Sequence, residues 1–592
     1  MRARTLILPL ILSLPLTRAG WASVEWYVRE VAFQGNQAFG RKVLLERMVH
    51  RPSRRFDKRP YSRRVLEDDL ASLLSFYRNQ GYLEAKVELK EVRFDSAKRR
   101  VDIGIAIEEG RRTTISDVAI FGNQVFPDSF YLALIETRPG QPLLSARIDQ
   151  DVRRILDALA LRGYLTAQVS PEVRLQTEPA LAVVEFTVLE GPQVRVAGVR
   201  VVGLERVKLH AVQRELRFQK GQVLRLPLIR DSISRLYRTG LFRSVEITPS
   251  TQDSANGWRT VIVRVSELDF GQVEGGIGFG TYDKVRASVE ASYGNLFGDG
   301  RKVGFAGRAS FVRQKAELAY SDPWAFGMPL RLDGNGYYEH HNEESYEAVL
   351  SGLRLTLGTQ SRRRHVIRLT LREEAVRWLK LLGQPPGNVR AKNTRSLGAS
   401  YAFDVRDDLF NPSKGTYFLV QGELAGLGGP GTNQFGRLLV EWRRYRPWER
   451  SVHLSSAVRF GWVQEYGLST EVPIQERFFA GGAKSVRGFG ERQLGPTTAD
   501  GIPLGGRVSL IVNLVEARFP IWKNLGGAVF VDAGNVWADR RSFSPDRLRW
   551  AAGAGLRVSS PIGVLRLDFG LRLDRRPGEP AGAILLDMGQ AF

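Results

Sequence analysis

Leu565-Arg566-Leu567-Asp568-Phe569-Gly570-Leu571-Arg572-Leu573-Asp574 alternates between large apolar side chains and charged or small ones. A period of two marks a β-strand whose two faces meet different surroundings. A soluble sandwich also alternates, but it does not place successive charges on the face it buries against a partner sheet. Apolar outside and charged inside is the pattern of a closed membrane barrel. The same alternation runs upstream. Val285, Ala287, Val289, Ala291 and Tyr293 interleave with Arg286, Ser288, Glu290 and Ser292, while Val452, Leu454, Val458, Phe460 and Trp462 interleave with His453, Ser455, Arg459 and Gly461. At about 20 residues per strand and connection, residues 268–592 accommodate about 16 antiparallel strands. Trp324, Trp442, Trp448, Trp522 and Trp537 are read as aromatic girdles at strand ends.

Composition agrees with an exported chain. Its 592 residues are 43% apolar, with a mean hydropathy of −0.21 that argues against a bundle of membrane helices. Cysteine is absent, which removes disulfides, thiol chemistry and cysteine-ligated metals together. Arg2 and Arg4 precede the apolar run Leu6 to Leu16, and Gly20 and Ala22 follow, so residues 1–22 are expected to be a secretory signal peptide. The net charge of +23 would suggest nucleic acid in a cytosolic protein. In an exported one it points instead to anionic lipid headgroups or acidic polypeptide surfaces. The densest basic run, Arg41 to Arg64, reads either as a solvated face or as such a contact.

Between residues 24 and 267 a pattern repeats about every 80 residues, as in a string of small domains. Each unit opens on a strand ending in a glycine turn: Val31-Ala32-Phe33-Gln34-Gly35-Asn36, Val118-Ala119-Ile120-Phe121-Gly122-Asn123 and Val199-Arg200-Val201-Val202-Gly203. A helix with one apolar stripe follows. Leu66, Leu70, Leu73, Leu74 and Tyr77 share their offsets with Ile148, Val152, Ile155, Leu156 and Leu159, and a shorter version is Ile229, Ile233, Leu236 and Tyr237. Glycine then leads into further strands at Gly81, Gly163 and Gly240, and the first two units end in Glu109-Gly110 and Glu190-Gly191. Helices on a small sheet make an α+β unit with a free strand edge, able to accept an extended segment by main-chain pairing. Rigid spacing is the alternative use.

The three units resemble polypeptide-transport-associated (POTRA) domains, assigned to residues 24–110, 111–191 and 192–267, ahead of a barrel at 268–592. Ser485-Val486-Arg487-Gly488-Phe489-Gly490 would by itself read as a solvated Gly-rich turn. In this setting it resembles the V-R-G-F/Y motif of the outer-membrane protein assembly family (the BamA/TamA type, with its two-partner secretion relatives). Further segments fall in that family's order: Asn295-Leu296-Phe297-Gly298, Asp322-Pro323-Trp324, Phe403 to Gly415, Val531 to Trp537 and Pro561 to Asp568. The resemblance implies a loop, near 481–495, folded into the barrel. There Val486, Arg487, Gly488 and Phe489 meet the wall, with Arg487 against Asp532, Phe530 beside it and Glu516 as a further acid. The terminal Phe592 resembles the recognition signal of outer-membrane barrels, although Gln590 departs from the residue usual before it.

A second expected site is the seam where the first and last strands meet. Gly275, Gly276, Gly278 and Gly280 lie on one side, and Gly589 and Phe592 on the other. Glycine weakens strand packing, so the seam is expected to open most easily; accommodating curvature is the alternative. The resemblance implies an outer-membrane assembly factor with periplasmic POTRA domains that receives unfolded outer-membrane or secreted polypeptide clients and inserts them beside lipid. Three units favour a TamA-like member with a TamB-like partner anchored in the inner membrane. The alternative is a two-partner secretion transporter passing a chain through the lumen. No nucleophile elbow, phosphate loop or metal-spaced histidine cluster occurs, so no catalytic residue, metal or cofactor is expected. His340-His341 with Glu343 and Glu344 reads as a solvated loop tip rather than a metal site.

Overall fold

The computed structural model describes residues 26–53, 59–176, 180–250, 256–359, 364–382, 393–429, 431–449, 451–560 and 563–588. The expected signal peptide, Arg54, Arg55, Lys58, Gly589 and Phe592 lie outside these residues. No described helix is long and apolar enough to cross a membrane.

The first repeat comprises β1 (Tyr27–Gln34), α1 (Arg41–Leu45), α2 (Arg63–Asn79), β2 (Lys86–Asp95) and β3 (Arg100–Glu108), with sheet order β1-β3-β2. The second comprises β4 (Thr114–Phe121), α3 (Asp128–Leu134), α4 (Ser145–Leu161), β5 (Gln168–Gln176) and β6 (Leu181–Leu189), ordered β4-β6-β5. The third has β7 (Arg195–Val202), α5 (Leu209–Gln213), α6 (Leu226–Arg238), β8 (Phe242–Pro249) and β9 (Trp258–Glu267), ordered β7-β9-β8. In each, the last strand in sequence is central, so the inner strand has the most apolar sequence. Leu66, Leu73 and Tyr77 of α2 bury against Val101, Ile103, Ile105 and Ile107 of β3, and Ile148, Ile155 and Leu159 of α4 against Val184, Phe186 and Val188 of β6. Tyr237 is a correction to the expected third stripe: it is 45% exposed, and its hydroxyl accepts the Val245 N–H instead.

The glutamates that end the three repeats have a structural role. Glu109 accepts the Ala38 N–H and the Tyr77 hydroxyl; Glu190 accepts the Gln124 and Val125 N–H groups and the Tyr131 hydroxyl; Glu267 accepts Glu205, Arg206 and Val207 N–H groups. Each carboxylate thereby fixes the chain just after the opening glycine turn of its own repeat. The turn needs glycine at Gly35, where φ is 88° and a Cβ would stand 2.1 Å from the Ile107 carbonyl oxygen. Part of the basic run is likewise structural: Arg41 donates to the Val31 carbonyl and Arg51 to those of Met48 and Glu46.

By packing, the chain divides into two units, the second made of residues 201–215, 234–246 and 264–592. Within it a single sheet of 16 strands forms a near-closed antiparallel barrel. Its strands are β10 (Gly271–Gly280), β11 (Lys284–Leu296), β12 (Arg301–Ser310), β13 (Arg313–Asp322), β14 (Leu330–Asn342), β15 (Tyr346–Thr359), β16 (His365–Leu381), β17 (Thr394–Asp404), β18 (Gly415–Ala425), β19 (Phe435–Glu449), β20 (Val452–Glu465), β21 (Val508–Trp522), β22 (Leu525–Trp537), β23 (Arg549–Ser560), β24 (Gly563–Arg572) and β25 (Gly582–Met588). Each pairs with the next, and β10 and β25 are the ends of the series. On β24 the alternation is as read: Leu565, Leu567, Phe569 and Leu571 are exposed outward, whereas Arg566 and Asp568 are buried inward. Two of the expected girdle residues are not on the outer surface. Trp537 is buried beside Phe543, and the Trp324 indole donates to Glu215 under the Arg214 guanidinium.

Burial pushes the Glu190 carboxyl upward, but the Tyr131 hydroxyl and the backbone N–H donors outweigh it and hold it below the ordinary glutamate range. A depressed carboxyl contributes stability that is fully present above about pH 4.3 and lost as pH falls through its folded value. Amide-exchange protection around the Gly122 turn, corrected for intrinsic rates, is therefore expected to decline below that pH. Glu190→Gln should lower it at neutral pH by about 1.5–3 kcal/mol, the usual size of hydrogen bonds to a charged group, and flatten the dependence.

Candidate functional site: the inward loop and the barrel seam

The connection from β20 to β21 turns into the lumen and closes on itself through bridges Phe478 to Gly506, Ala480 to Leu494 and Thr497 to Pro503. Gly481 and Gly482, with φ near 98° and 97°, start the tight turn that ends on Phe489. Val486 and Arg487 are fully buried and Phe489 is 2% exposed.

Arg487 meets both acids that the motif implied. Its Nε and Nη2 donate to Asp532 Oδ2 and Oδ1 at 2.7 and 2.9 Å, its backbone N–H donates to the same carboxylate, and Nη1 reaches Glu516. The guanidinium lies over the Phe530 ring, 3.5 Å from the centroid. A planar fork can satisfy two carboxylates and stack at once, which a lysine cannot. Phe489 takes the Arg572 and Arg549 guanidinium groups at 4.5 and 5.0 Å from its centroid. Gly488 lies so close to the wall that a Cβ would stand 2.6 Å from that of Ala551.

Several members of this site were not anticipated. Asn513 donates to the Ser485 carbonyl and to Asp532, tying loop and acid together. Asp568 lies 3.8 Å from Arg487 and also receives Arg557, which reaches Glu516 at 3.4 Å. Gly570 makes room for the loop, since a Cβ there would meet the Arg487 carbonyl oxygen at 2.1 Å. Inward alternation in Leu565–Asp574 already marked Asp568 as facing the lumen. Asn513 was hidden by a bulge between Asn513 and Val515, which turns both Asn513 and Glu516 inward despite their odd spacing.

The His340–Glu344 stretch is not a solvated tip. His341 is 8% exposed and bonds Glu339 and Tyr346, His340 bonds Glu347, and Glu343 receives Tyr282 and the loop's Arg492. Arg492 also lies 3.6 Å from the Phe479 centroid. Among the described residues, no group of three or more His, Asp or Glu side chains is placed to hold a metal ion.

At the seam, Gly275, Gly276, Gly278 and Gly280 all lie on β10. Across it, β25 is described only to Met588, so Gly589 and Phe592 carry no structural statement. Among the described residues the two end strands share no ladder; their main-chain link is the Thr281 N–H to the Leu586 carbonyl, 3.1 Å.

Residues 295–592 match the Omp85 superfamily domain, and residues 26–110, 113–191 and 194–268 match the POTRA repeat. The chain belongs to the Omp85 superfamily. It is 26% identical over 553 residues to the outer membrane protein assembly factor BamA of Nitratidesulfovibrio vulgaris, spanning 89% of this chain and 68% of that protein. With BamA of Neisseria meningitidis the identity is 20% over 632 residues, spanning 95% and 78%. The crystal structure of BamA from Haemophilus ducreyi lacking POTRA domains 1–3 shares the fold, with a TM-score of 0.70 at 22% identity over 81% of this chain and 99% of that one. This Omp85 barrel therefore resides in the outer membrane, with its POTRA repeats in the periplasm.

Arg487→Lys keeps the charge but loses the two-pronged contact and the stacking. Amide-exchange protection across residues 480–494 is expected to fall by about 1.5–3 kcal/mol, the usual size of a lost hydrogen bond to a charged group, while strand protection in β12–β18 stays unchanged.

Proposed function

We propose that this chain is an outer-membrane protein assembly factor that receives unfolded polypeptides on its POTRA edges and helps them into the membrane at the β10–β25 seam. The observation that carries the reading is the seam itself. β10 is fully paired to β11 on one side, from Gly271 to Gly280, while on the other side the described part of β25 reaches it at one main-chain bond. In a bilayer an unpaired strand edge costs several kcal/mol per unsatisfied group, so an incoming strand that pairs there is strongly favoured. The pairing uses main-chain groups and is tolerant of client sequence.

The POTRA edges suit delivery. β2 and β5 lie at the margins of their sheets and expose Leu89, Phe94, Val173 and Leu175. Apolar side chains beside free main-chain donors and acceptors match an unfolded outer-membrane polypeptide, itself alternating and apolar on one face. Outer-membrane lipid is the second partner, meeting Val273, Ile277 and Phe279 on the outer face of β10. Three POTRA repeats favour a TamA-like organisation, with a TamB-like, inner-membrane-anchored protein as the periplasmic partner. The role is mechanical and requires no covalent chemistry from the chain.

A cysteine pair tests the seam in this cysteine-free background. With Thr281→Cys and Leu586→Cys oxidised, assembly of a barrel client in proteoliposomes is expected to stop, and to recover on reduction. Equal assembly in both states would reject the seam as the exit and leave passage through the lumen, the two-partner secretion reading.

A further inference from the structure

The first barrel strand shows what holds its edge against the last. Arg286 belongs to β11, one strand removed from the seam, yet its Nη2 stands 3.7 Å from Asp587 Oδ1 of β25. To reach it, the side chain lies across the inner face of β10. Gly278 is paired directly with Arg286, and a Cβ at Gly278 would stand 2.9 Å from the Arg286 Nε and 3.3 Å from its Cγ. Asp587 is 9% exposed and gathers two more cations, Arg566 of the neighbouring β24 at 3.2 Å and Lys484 of the inward loop at 3.6 Å. Arg286, Lys484 and Asp587 line one cavity of about 230 Å³ with Asp283 and Glu491, at the end of β10 where the described main-chain bond lies.

From this geometry we infer that Asp587 is the clasp of the seam: it holds β25 to β11 through Arg286, over a groove that Gly278 keeps open, and joins both to the inward loop through Lys484. The clasp is also wired to the loop anchor. Arg566 stands 3.6 Å from Asp568, which stands 3.8 Å from Arg487, so partly buried charges run without a break from the loop motif to the seam. With no ladder described between β10 and β25, closure at this end rests on side chains and the one described main-chain bond, Thr281 N–H to the Leu586 carbonyl. Side-chain ion pairs part without breaking a cooperative set of main-chain bonds, which suits an edge that must open repeatedly. The inward glycines of β10 thus acquire a specific use beyond pliability: a larger residue at 278 would stand where the arginine passes.

The functional value of the clasp rests on the seam being the exit, as proposed above, but its existence is tested without any client. Spin labels at Phe279→Cys and Ile584→Cys, outward-facing on the two edge strands, report the seam in proteoliposomes. Asp587→Asn is expected to lower the ratio of short- to long-distance populations about fivefold, the effect of losing a partly buried charge pair of roughly 1 kcal/mol. Arg286→Gln and Gly278→Val should produce the same shift, Asp587→Glu should largely preserve the closed population, and Asp587→Asn with Arg286→Gln should add little to either alone. Arg286→Gln supplies the same readout should Asp587→Asn disturb folding, since β11 is paired on both sides. An unchanged distance distribution in Arg286→Gln, or full additivity of the pair, would overturn the clasp. Distances that shift while client assembly stays normal would uphold the clasp and reject the seam as the exit.

Discussion

A single guanidinium, that of Arg487, organises the interior of the barrel. It is fully buried, divided between Asp532 and Glu516, and pressed on the Phe530 ring. Buried charges are tolerable only when paired and hydrogen-bonded, so none of these groups can be withdrawn alone. The loop cannot leave without exposing two acids, and the wall cannot relax without stranding the arginine. The loop is thereby made part of the wall, although among the described residues no strand ladder joins its Arg487 turn to the wall.

That anchoring redistributes mechanical strength around the barrel. β21 to β24 are braced by the loop and by the pairs Arg557 with Asp568 and Arg549 with Asp574 and Glu579. Across the lumen, Arg492 joins the loop to Glu343 and Tyr282, on the connections beside β14 and β10. The loop therefore grips the wall at two places, and the seam between β10 and β25 is left with one described main-chain bond and the charges around Asp587. In the proposed function, it is this seam, and not the braced wall of β21 to β24, that opens.

The POTRA repeats use the same physics at smaller scale. In each, a glutamate at the end of the central strand collects the N–H groups of a distant turn, so one carboxylate substitutes for a longer stretch of packing. Among the described residues, the β2, β5 and β8 margins carry no further ladder, whereas β1, β4 and β7 are bridged at Tyr27–Pro60, Thr114–Pro142 and Arg195–Val223. In the proposed function, the β2 and β5 edges and the barrel seam offer the same main-chain chemistry to one extended polypeptide.

Period-two alternation with charges on one face determined, from sequence alone, that the second half of the chain is made of two-faced strands, and the family motifs in their order made a barrel the expected closure. The 80-residue repeat with its shared helix offsets determined three α+β units, since one apolar stripe needs one sheet. The motif placed Arg487 with Asp532 and Glu516. Other features depended on contacts that no local pattern encodes. A one-residue bulge in β21 turned Asn513 inward, against the alternation. The fold brought His341 and Glu343 into buried hydrogen bonds with residues of the loop and neighbouring strands, where a polar tip had been expected. And Gly278 acquired its meaning only when the register set it beneath Arg286, because what a missing side chain makes room for is decided by the neighbour that fills the space.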